Sequence, residues 1–414
     1  MANLSVPLVG FVDTAFVGHL PEVAFIGAVA VASVIFDVFY AGLGFLRMGT
    51  TTLTAQYHGA RQRGRCTEVL CLANVLAICL GLVIILLSGG IANLGFKLVG
   101  ASEAVEFWGK DYFEVRVYGA PFVLLTFVLI GFFRGIADVV TPMWMTVIIT
   151  VLNVFGDYAL IYGKFGAPAL GVKGAAWASV LATLAGLLYG CCVLAWRYRG
   201  YLALRVGDRK QIRRLLVTNL DLFGRTACLL FAQFFVLTVV GRLGETALAA
   251  NAIMWQVWFL VSSSVDAVAY AAETLVGNYL GAREFVKARQ ISGRCLLWGA
   301  VMGLGFAGAY GVAMEPIARG FTRHEDVVVL VVSLTFWVVA AQPLNGLAYV
   351  LDGIFIGAND TRHLFLAMAI SAFGVFLPTT LVFVYGMNLG LKGAWMGYNA
   401  LMVARLATLS LRYR

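Results

Sequence analysis

The sequence predicts an all-α integral membrane protein, with twelve transmembrane helices arranged as two parallel six-helix repeats. Three observations lead there. Of the 414 residues, 61% are hydrophobic and only 12% charged, about half the charge a soluble domain carries. The apolar residues gather into twelve runs, most of them near or above the ~20 residues that cross a bilayer. Four short signatures recur, in the same order, in both halves. A soluble fold of this length needs a wet surface that these residues cannot supply. Soluble enzymes, nucleic-acid binders and disordered scaffolds are therefore excluded.

The runs fall near 3–19, 24–56, 68–96, 107–133, 142–163 and 170–196, then near 219–242, 247–279, 290–314, 327–357, 363–386 and 390–411. The second and eighth exceed what a bilayer requires and are expected to tilt or project. The first is short, because Met1 stands almost inside it. A helix starting within the interface, or a truncated start, is expected there, with no cleavable signal peptide ahead of it. Pro7, Pro121 and Pro378 lie within runs and should kink or loosen them. Between the sixth and seventh runs lies the one long basic segment, RYRGYLALRVGDRKQIRRLLVT. It divides the chain into an N-terminal lobe (1–196), a basic cytoplasmic linker (197–218) and a C-terminal lobe (219–414).

Loop cations set topology in a membrane protein, so the placement of the 30 Lys and Arg matters more than the formal charge of +9. Sorted by alternate loops, 18 fall on one side, 9 on the other, and Arg47, Arg225 and Arg405 lie within spans, which accounts for all 30. The richer side is then cytoplasmic and both termini face it. No nucleic-acid partner is implied.

The halves repeat. Val17-Gly-His-Leu-Pro-Glu22 matches Val240-Gly-Arg-Leu-Gly-Glu245, and Gly59-Ala-Arg61 matches Gly281-Ala-Arg283. Gly135-Ile-Ala-Asp138 aligns with Gly357-Ala-Asn-Asp360, and Leu170-Gly-Val-Lys-Gly-Ala175 with Leu389-Gly-Leu-Lys-Gly-Ala394. The separations stay between 219 and 223 residues. Six spans is an even number, so both copies enter the membrane from the same side. Parallel repeats are related by an axis along the membrane normal, with a cavity between them, which is transporter architecture rather than a fixed pore.

Ionisable residues inside a membrane cost several kcal/mol and ask for a reason. Asp13 lies in the first run with apolar neighbours and no cation within a helical turn. Desolvation disfavours its charged form and suits it to proton exchange near neutral pH; a satisfied structural Asp is the competing reading. Asn153 and Asp157, four apart, share one face of the fifth helix. An amide and a carboxylate together suit a proton or Na⁺, because hard cations prefer oxygen; a helix–helix hydrogen bond is the alternative. The aligned second-half positions, Val236 and the Ala372–Phe376 stretch, carry no charge. A cation site confined to the N-terminal lobe follows.

Other polar residues in the runs are less specific. Asp37 and Arg47 suit mutual pairing or the cavity, and Asp266, Glu273 and Asp352 suit structural pairing or cavity lining. Tyr40, Trp255, Trp258 and Phe259 suit either the cleft or ordinary packing. The seven cysteines form no CxxC pair and read as packing residues. The four histidines have no ligand spacing, so neither metal nor cofactor is implied. No GxxxxGK[ST] loop is present, so energy must come from an ion gradient or a partner, and no enzyme chemistry is legible.

Val12-Asp-Thr-Ala-Phe-Val-Gly-His-Leu20, Gly44-Phe-Leu-Arg-Met-Gly-Thr-Thr51 with Thr54-Ala-Gln56, and Gln342-Pro-Leu-Asn-Gly346 with Leu351-Asp-Gly-Ile354 resemble the multidrug and toxic compound extrusion (MATE) transporters, most of all the DinF-type branch. The resemblance implies two six-helix lobes forming a V-shaped cleft in a bacterial cytoplasmic membrane. It implies export of small amphipathic or cationic compounds in exchange for H⁺ or Na⁺, by a monomer surrounded by lipid. The family's helix-one carboxylate falls on Asp13, the helix-five pair on Asn153 and Asp157, and a helix-six hydroxyl on Ser179. Na⁺, where it serves, is expected at Asp13, Asn153 and Asp157. The NorM-type branch places acidic residues on helices seven and ten, but here helix seven has none in mid-membrane and the helix-ten position reads Asn345. Substrate-cavity candidates are Tyr40, Asp37, Arg47, Trp255 and Asn345. The alternative is a lipid-linked precursor flippase of the same superfamily, which needs several cavity cations where only Arg47, Arg225 and Arg405 are available.

The topology has a direct test. Green fluorescent protein fused after Arg414 should fluoresce, and alkaline phosphatase fused there should be inactive. The opposite pair of results inverts the assignment of sides.

Overall fold

Lipid cannot hydrogen-bond a peptide group, so a chain this apolar must satisfy its backbone within helices. In the computed structural model, which describes residues 16–17, 23–100, 102–202 and 208–413, every regular element among the described residues is helical. Pro7 and Asp13 lie outside the described residues. The chain separates into two compact units, Met1–Asn219 and Leu220–Arg414.

In the first unit, α1 (Val23–Leu43) and α2 (Phe45–Gly59) form one apolar stretch broken at Gly44. α3 (Arg63–Leu86) and α4 (Ser88–Val99) are likewise broken at Leu87, and α5 (Glu103–Arg116) passes through a 3₁₀ turn into α6 (Ala120–Gly135), with Pro121 in the first turn, where its missing N–H costs nothing. α7 (Val140–Tyr162) and α8 (Val172–Arg197) follow as an antiparallel pair. α9 (Arg209–Gly241) begins inside the basic interval. Its first turns dock on the end of α2: Tyr57 donates to Gln211 Oε1 (2.7 Å), and Arg214 donates to Tyr57 Oη (3.0 Å) and Gln56 Oε1 (2.8 Å).

The second unit continues with α10 (Glu245–Gly281), α11 (Phe285–Phe321), α12 (Glu325–Ser333) and α13 (Thr335–Ala358). Next come α14 (Thr361–Ala369), α15 (Leu377–Leu381) and α16 (Gly390–Tyr413). α15, which holds Pro378, lies between two π-helical segments, 370–376 and 382–386. The proline cannot extend the regular ladder, and wider turns absorb the fault. Pro316 inside α11 and Pro343 inside α13 are two further interruptions. Ten stretches of described residues are long and apolar enough to cross a membrane. α16, with 24 residues, has the length of a further span, and the first run lies largely outside the described residues.

The duplication extends to backbone geometry. Arg61 (φ 58°) and Arg283 (φ 59°) both adopt the left-handed conformation, as do Ala137 (φ 63°) and Asn359 (φ 59°). The same amides close each turn: Gln62 to the Tyr57 carbonyl and Glu284 to that of Tyr279, both within 2.9 Å. Helix crossings repeat as well. A Cβ added at Gly131 of α6 would lie 2.5 Å from the Arg47 carbonyl oxygen of α2, and one at Gly353 of α13 would lie 2.2 Å from that of Ala269 in α10. Gly81 meets Pro121 as Gly303 meets Pro343, each 222 residues later. Missing side chains at matched positions let backbones touch, the usual basis of helix association in lipid.

Asp138 ties together the loop end of the first unit. Its carboxylate accepts from the Val140 and Thr141 amides (3.0 Å each), the Thr141 hydroxyl (2.6 Å) and the Tyr198 hydroxyl (2.8 Å). Burial alone would raise its pKa, but these four donors outweigh it and hold the group below the usual carboxylate value. Tyr198 is pushed the other way, up to about 12, by burial and by that bond. Replacing Asp138 by Asn removes the charge that these four donors share and replaces an acceptor oxygen with a donor, and should cost about 1–3 kcal/mol of thermal stability in detergent. A depressed folded-state pKa contributes stability above the unfolded value and loses it below. The Tm gap between wild type and Asp138→Asn should therefore be full at pH 7 and close as the pH falls below the ordinary Asp range.

Candidate ion-coupling site

α7 and α8 lie close because their facing residues are small. A Cβ at Gly156 would stand 3.0 Å from that of Ala178, and Gly174, Gly186 and Gly190 of α8 receive Leu160, Ile149 and Met145 of α7. This close approach buries the one polar stretch of α7. Asn153 and Asp157 are completely inaccessible to solvent. The Asn153 side-chain amide donates to Ser179 Oγ on α8 at 3.3 Å, and its oxygen has no hydrogen-bond partner among the described residues. Asp157 follows one turn along the same face. The site thus gathers an amide oxygen, a hydroxyl and a carboxylate within an apolar helix pair, the oxygen-rich surroundings that suit a hard cation or a proton. Three of the four residues expected to couple, Asn153, Asp157 and Ser179, belong to this helix pair, and Asp13 lies outside the described residues. Phe16, three positions after Asp13, is described: its ring packs 6.3 Å from that of Tyr158 and 6.2 Å from that of Tyr162, whose hydroxyl donates to the Phe16 carbonyl at 2.6 Å. Phe16 therefore rests on the turn of α7 that follows Asp157.

The second unit treats one of its buried carboxylates differently. Asp352 of α13 is 4% exposed and is held by Arg225 of α9 and by Arg405 of α16, whose Nε stands 3.1 Å from Oδ1. Arg405 also lies over the ring of Tyr349 at 5.3 Å. Two fixed guanidiniums already balance this acid. The cluster was not legible as a unit, because its members lie 127 and 53 residues apart along the chain. The presence of Arg225 and Arg405 in otherwise apolar runs was the available signal.

The cavity candidates fall in both units. Tyr40 stacks on Phe36 at 5.8 Å, Asp37 is exposed on α1 and Arg47 half-buried on α2. Trp255 belongs to an aromatic cluster with Trp258, Trp395 and Tyr398, with centroids 5.1 to 6.5 Å from its own. Asn345 is fully buried and donates to Gln342 Oε1 at 3.2 Å. Phe259 is half exposed.

A family model described as MatE matches residues 1–159 and 222–382. The chain belongs to the MatE family. It is a membrane transporter of the multidrug and toxic compound extrusion class and not an enzyme. It is 32% identical to the DNA damage-inducible protein F of Escherichia coli, over 99% of this chain and 87% of that protein. It is 29% identical to the probable multidrug resistance protein NorM of Thermotoga maritima, over 99% of this chain and 89% of that protein. Its fold is that of a crystal structure of MATE in the bent conformation, with a TM-score of 0.89, 22% identity, and coverage of 99% of this chain and 91% of the other. The all-helical membrane fold expected from the sequence is thereby established.

The arginine pair predicts a stability phenotype. Asp352→Asn leaves two buried guanidiniums without a counter-charge and should cost about 3–5 kcal/mol. Thermal unfolding in detergent would show it, and an unchanged Tm would mean that the three side chains do not act as a unit.

Proposed function

We propose that this MATE-family chain is a secondary active multidrug efflux transporter of the bacterial cytoplasmic membrane, with both termini cytoplasmic. It exports small amphipathic or cationic compounds by antiport with H⁺ or Na⁺. The coupling ion is taken up at the N-lobe site of Asp13, Asn153, Asp157 and Ser179. Lobes 1–196 and 219–414, joined by the basic interval 197–218, open alternately. With the cleft outward, Asp13 or Asp157 accepts the ion. Charge attraction for bound drug then weakens, helix one repacks and the cargo leaves. Opening inward returns the ion to the cytoplasm.

The observation that carries this reading is the contact of the fully buried Asn153 with Ser179, with the equally buried Asp157 one turn away. The placement of Phe16 against Tyr158 and Tyr162 supports adding Asp13 to the same site. The names of the E. coli and T. maritima relatives agree with a role in drug resistance or stress. A flippase for lipid-linked precursors needs cavity cations to hold a pyrophosphate. Two of the three in-span arginines, Arg225 and Arg405, are engaged with Asp352, so no observation favours that alternative.

Proteoliposomes loaded with a fluorescent organic cation give the test. Imposing a pH gradient and a Na⁺ gradient separately should show that one of them drives dye movement in the wild type. Asp157→Asn and Asp13→Asn should each lower gradient-driven transport at least tenfold while leaving thermal stability near that of wild type. Full transport by both variants sinks the site assignment. Equal dye movement by the wild type with no gradient at all sinks antiport itself.

A further inference from the structure

The end of the second unit from which the Ala282–Glu284 loop projects holds a cavity of about 490 Å³, within the ~300–1,000 Å³ range of small-molecule sites. It lies between the end of α10, the start of α11 and the ends of α13 and α16. One wall is apolar, built by Leu280, Phe285, Ile354 and Phe355. The other carries Arg289 and Arg412. Arg412 Nε stands 3.2 Å from Asp360 Oδ2, whereas Arg289 is exposed and makes no ion pair among the described residues.

The duplication shows what such a space accepts. By the 222-residue offset, Ile354, Phe355, Leu280 and Asp360 correspond to Phe132, Phe133, His58 and Asp138 of the first unit. There the chain itself fills the equivalent position. After α8 it turns back and lays Tyr201 on Phe132 (5.3 Å) and Tyr198 on Phe133 (5.8 Å). The tyrosine hydroxyls reach His58 Nδ1 (3.3 Å) and Asp138 (2.8 Å). The filling is amphipathic, with rings on the apolar side chains and hydroxyls on polar partners. In the second unit the wall position equivalent to Thr67 is Arg289.

We propose that this cavity binds an anionic phospholipid, its phosphate on Arg289 and Arg412 and the upper part of an acyl chain against Phe285, Ile354 and Phe355. Two guanidiniums against one carboxylate leave a net positive mouth, and guanidinium is the group best shaped to hold phosphate. The cavity opens on the cation-rich side of the sequence, where anionic lipid headgroups attract basic clusters at helix ends. A soluble phosphate would use the arginines but leave the apolar wall in water. A zwitterionic lipid would use the wall but gain little from the net charge.

The test uses the whole purified chain, delipidated in a mild detergent. Thermal stability and native mass spectra are followed on adding phosphatidylglycerol, phosphatidylcholine or inorganic phosphate. Phosphatidylglycerol should raise the Tm and appear as a retained adduct, with the other two giving neither. Arg289→Gln should weaken the apparent affinity about fivefold, the effect of one surface cation on an anionic lipid. Arg283→Gln, on the neighbouring loop but not lining the cavity, should leave it unchanged. Arg289 has no partner to lose, so its removal should not lower the lipid-free Tm. Equal effects of phosphatidylcholine, or an unchanged affinity in Arg289→Gln, would overturn the proposal. Equal protection by inorganic phosphate would assign the site to a free anion instead, and no lipid effect on the wild type would assign it to another segment of protein.

Discussion

A carboxylate moved from water into a helix bundle surrounded by lipid loses several kcal/mol of solvation. The protein can match it with a fixed positive charge, surround it with dipoles, or let it capture a mobile cation. Those options organise the chain. In the second unit Asp352 is matched by two guanidiniums drawn from α9 and α16, so the acid, the bases and three helices form one element. In the first unit the carboxylate of α7 stands one turn from an amide that reaches a hydroxyl on α8. The first arrangement fixes helices in place. The second sets neutral amide and hydroxyl oxygens beside the carboxylate, an oxygen-rich surrounding of the kind hard cations prefer. Lobes descended from one ancestral segment have thus come to hold a buried acid in two chemically distinct ways.

The packing that permits this is set by residues with almost no side chain. Gly156 against Ala178, and Gly186 against Ile149, bring α7 and α8 close enough for a 3.3 Å contact between short side chains. Larger residues there would separate Asn153 from Ser179 and leave both polar groups facing hydrocarbon. The matched crossings at Gly131 and Gly353, and at Gly81 and Gly303, hold the remaining helices of each unit in the same way. Close approach is therefore a property of the repeat, and the polar residues are particular to each copy.

Much of this was legible before any coordinates. Apolar runs gave the spans, because lipid enforces helices of bilayer length. The paired Gly-Ala-Arg and Leu-Gly-x-Lys-Gly-Ala signatures gave the duplication, because they sit at turns whose backbone needs them: Arg61 and Arg283 share a left-handed conformation. Asn153 and Asp157 were legible through their spacing. What was not legible depends on long-range meetings. The breaks at Gly44, Leu87 and Leu334 occur within runs that remain apolar throughout, so hydropathy alone passes over them. The Arg225–Asp352–Arg405 cluster joins three distant helices, and nothing local distinguishes a paired arginine from one facing a cavity. The first ten residues of α9 read as linker because they are basic, yet Gln211 and Arg214 make them part of the first unit's packing.

The comparison between repeats also shows two ways of holding the carboxylate at one matched turn. In the first unit Tyr198 and Tyr201 supply aromatic surface and hydroxyl groups from the chain itself, and Asp138 is satisfied by four protein donors. In the second, Asp360 is the residue at the same turn, and its partner is an arginine from α16. Replacing neutral donors with a guanidinium alters what the neighbouring space attracts. A hydroxyl satisfies one acceptor and is finished, whereas a guanidinium has five N–H groups, and one contact with Asp360 leaves several directed outward. Duplication thus preserved the turn and the helix crossings, and the carboxylate at that turn is held by amides and hydroxyls in one unit and meets a guanidinium in the other.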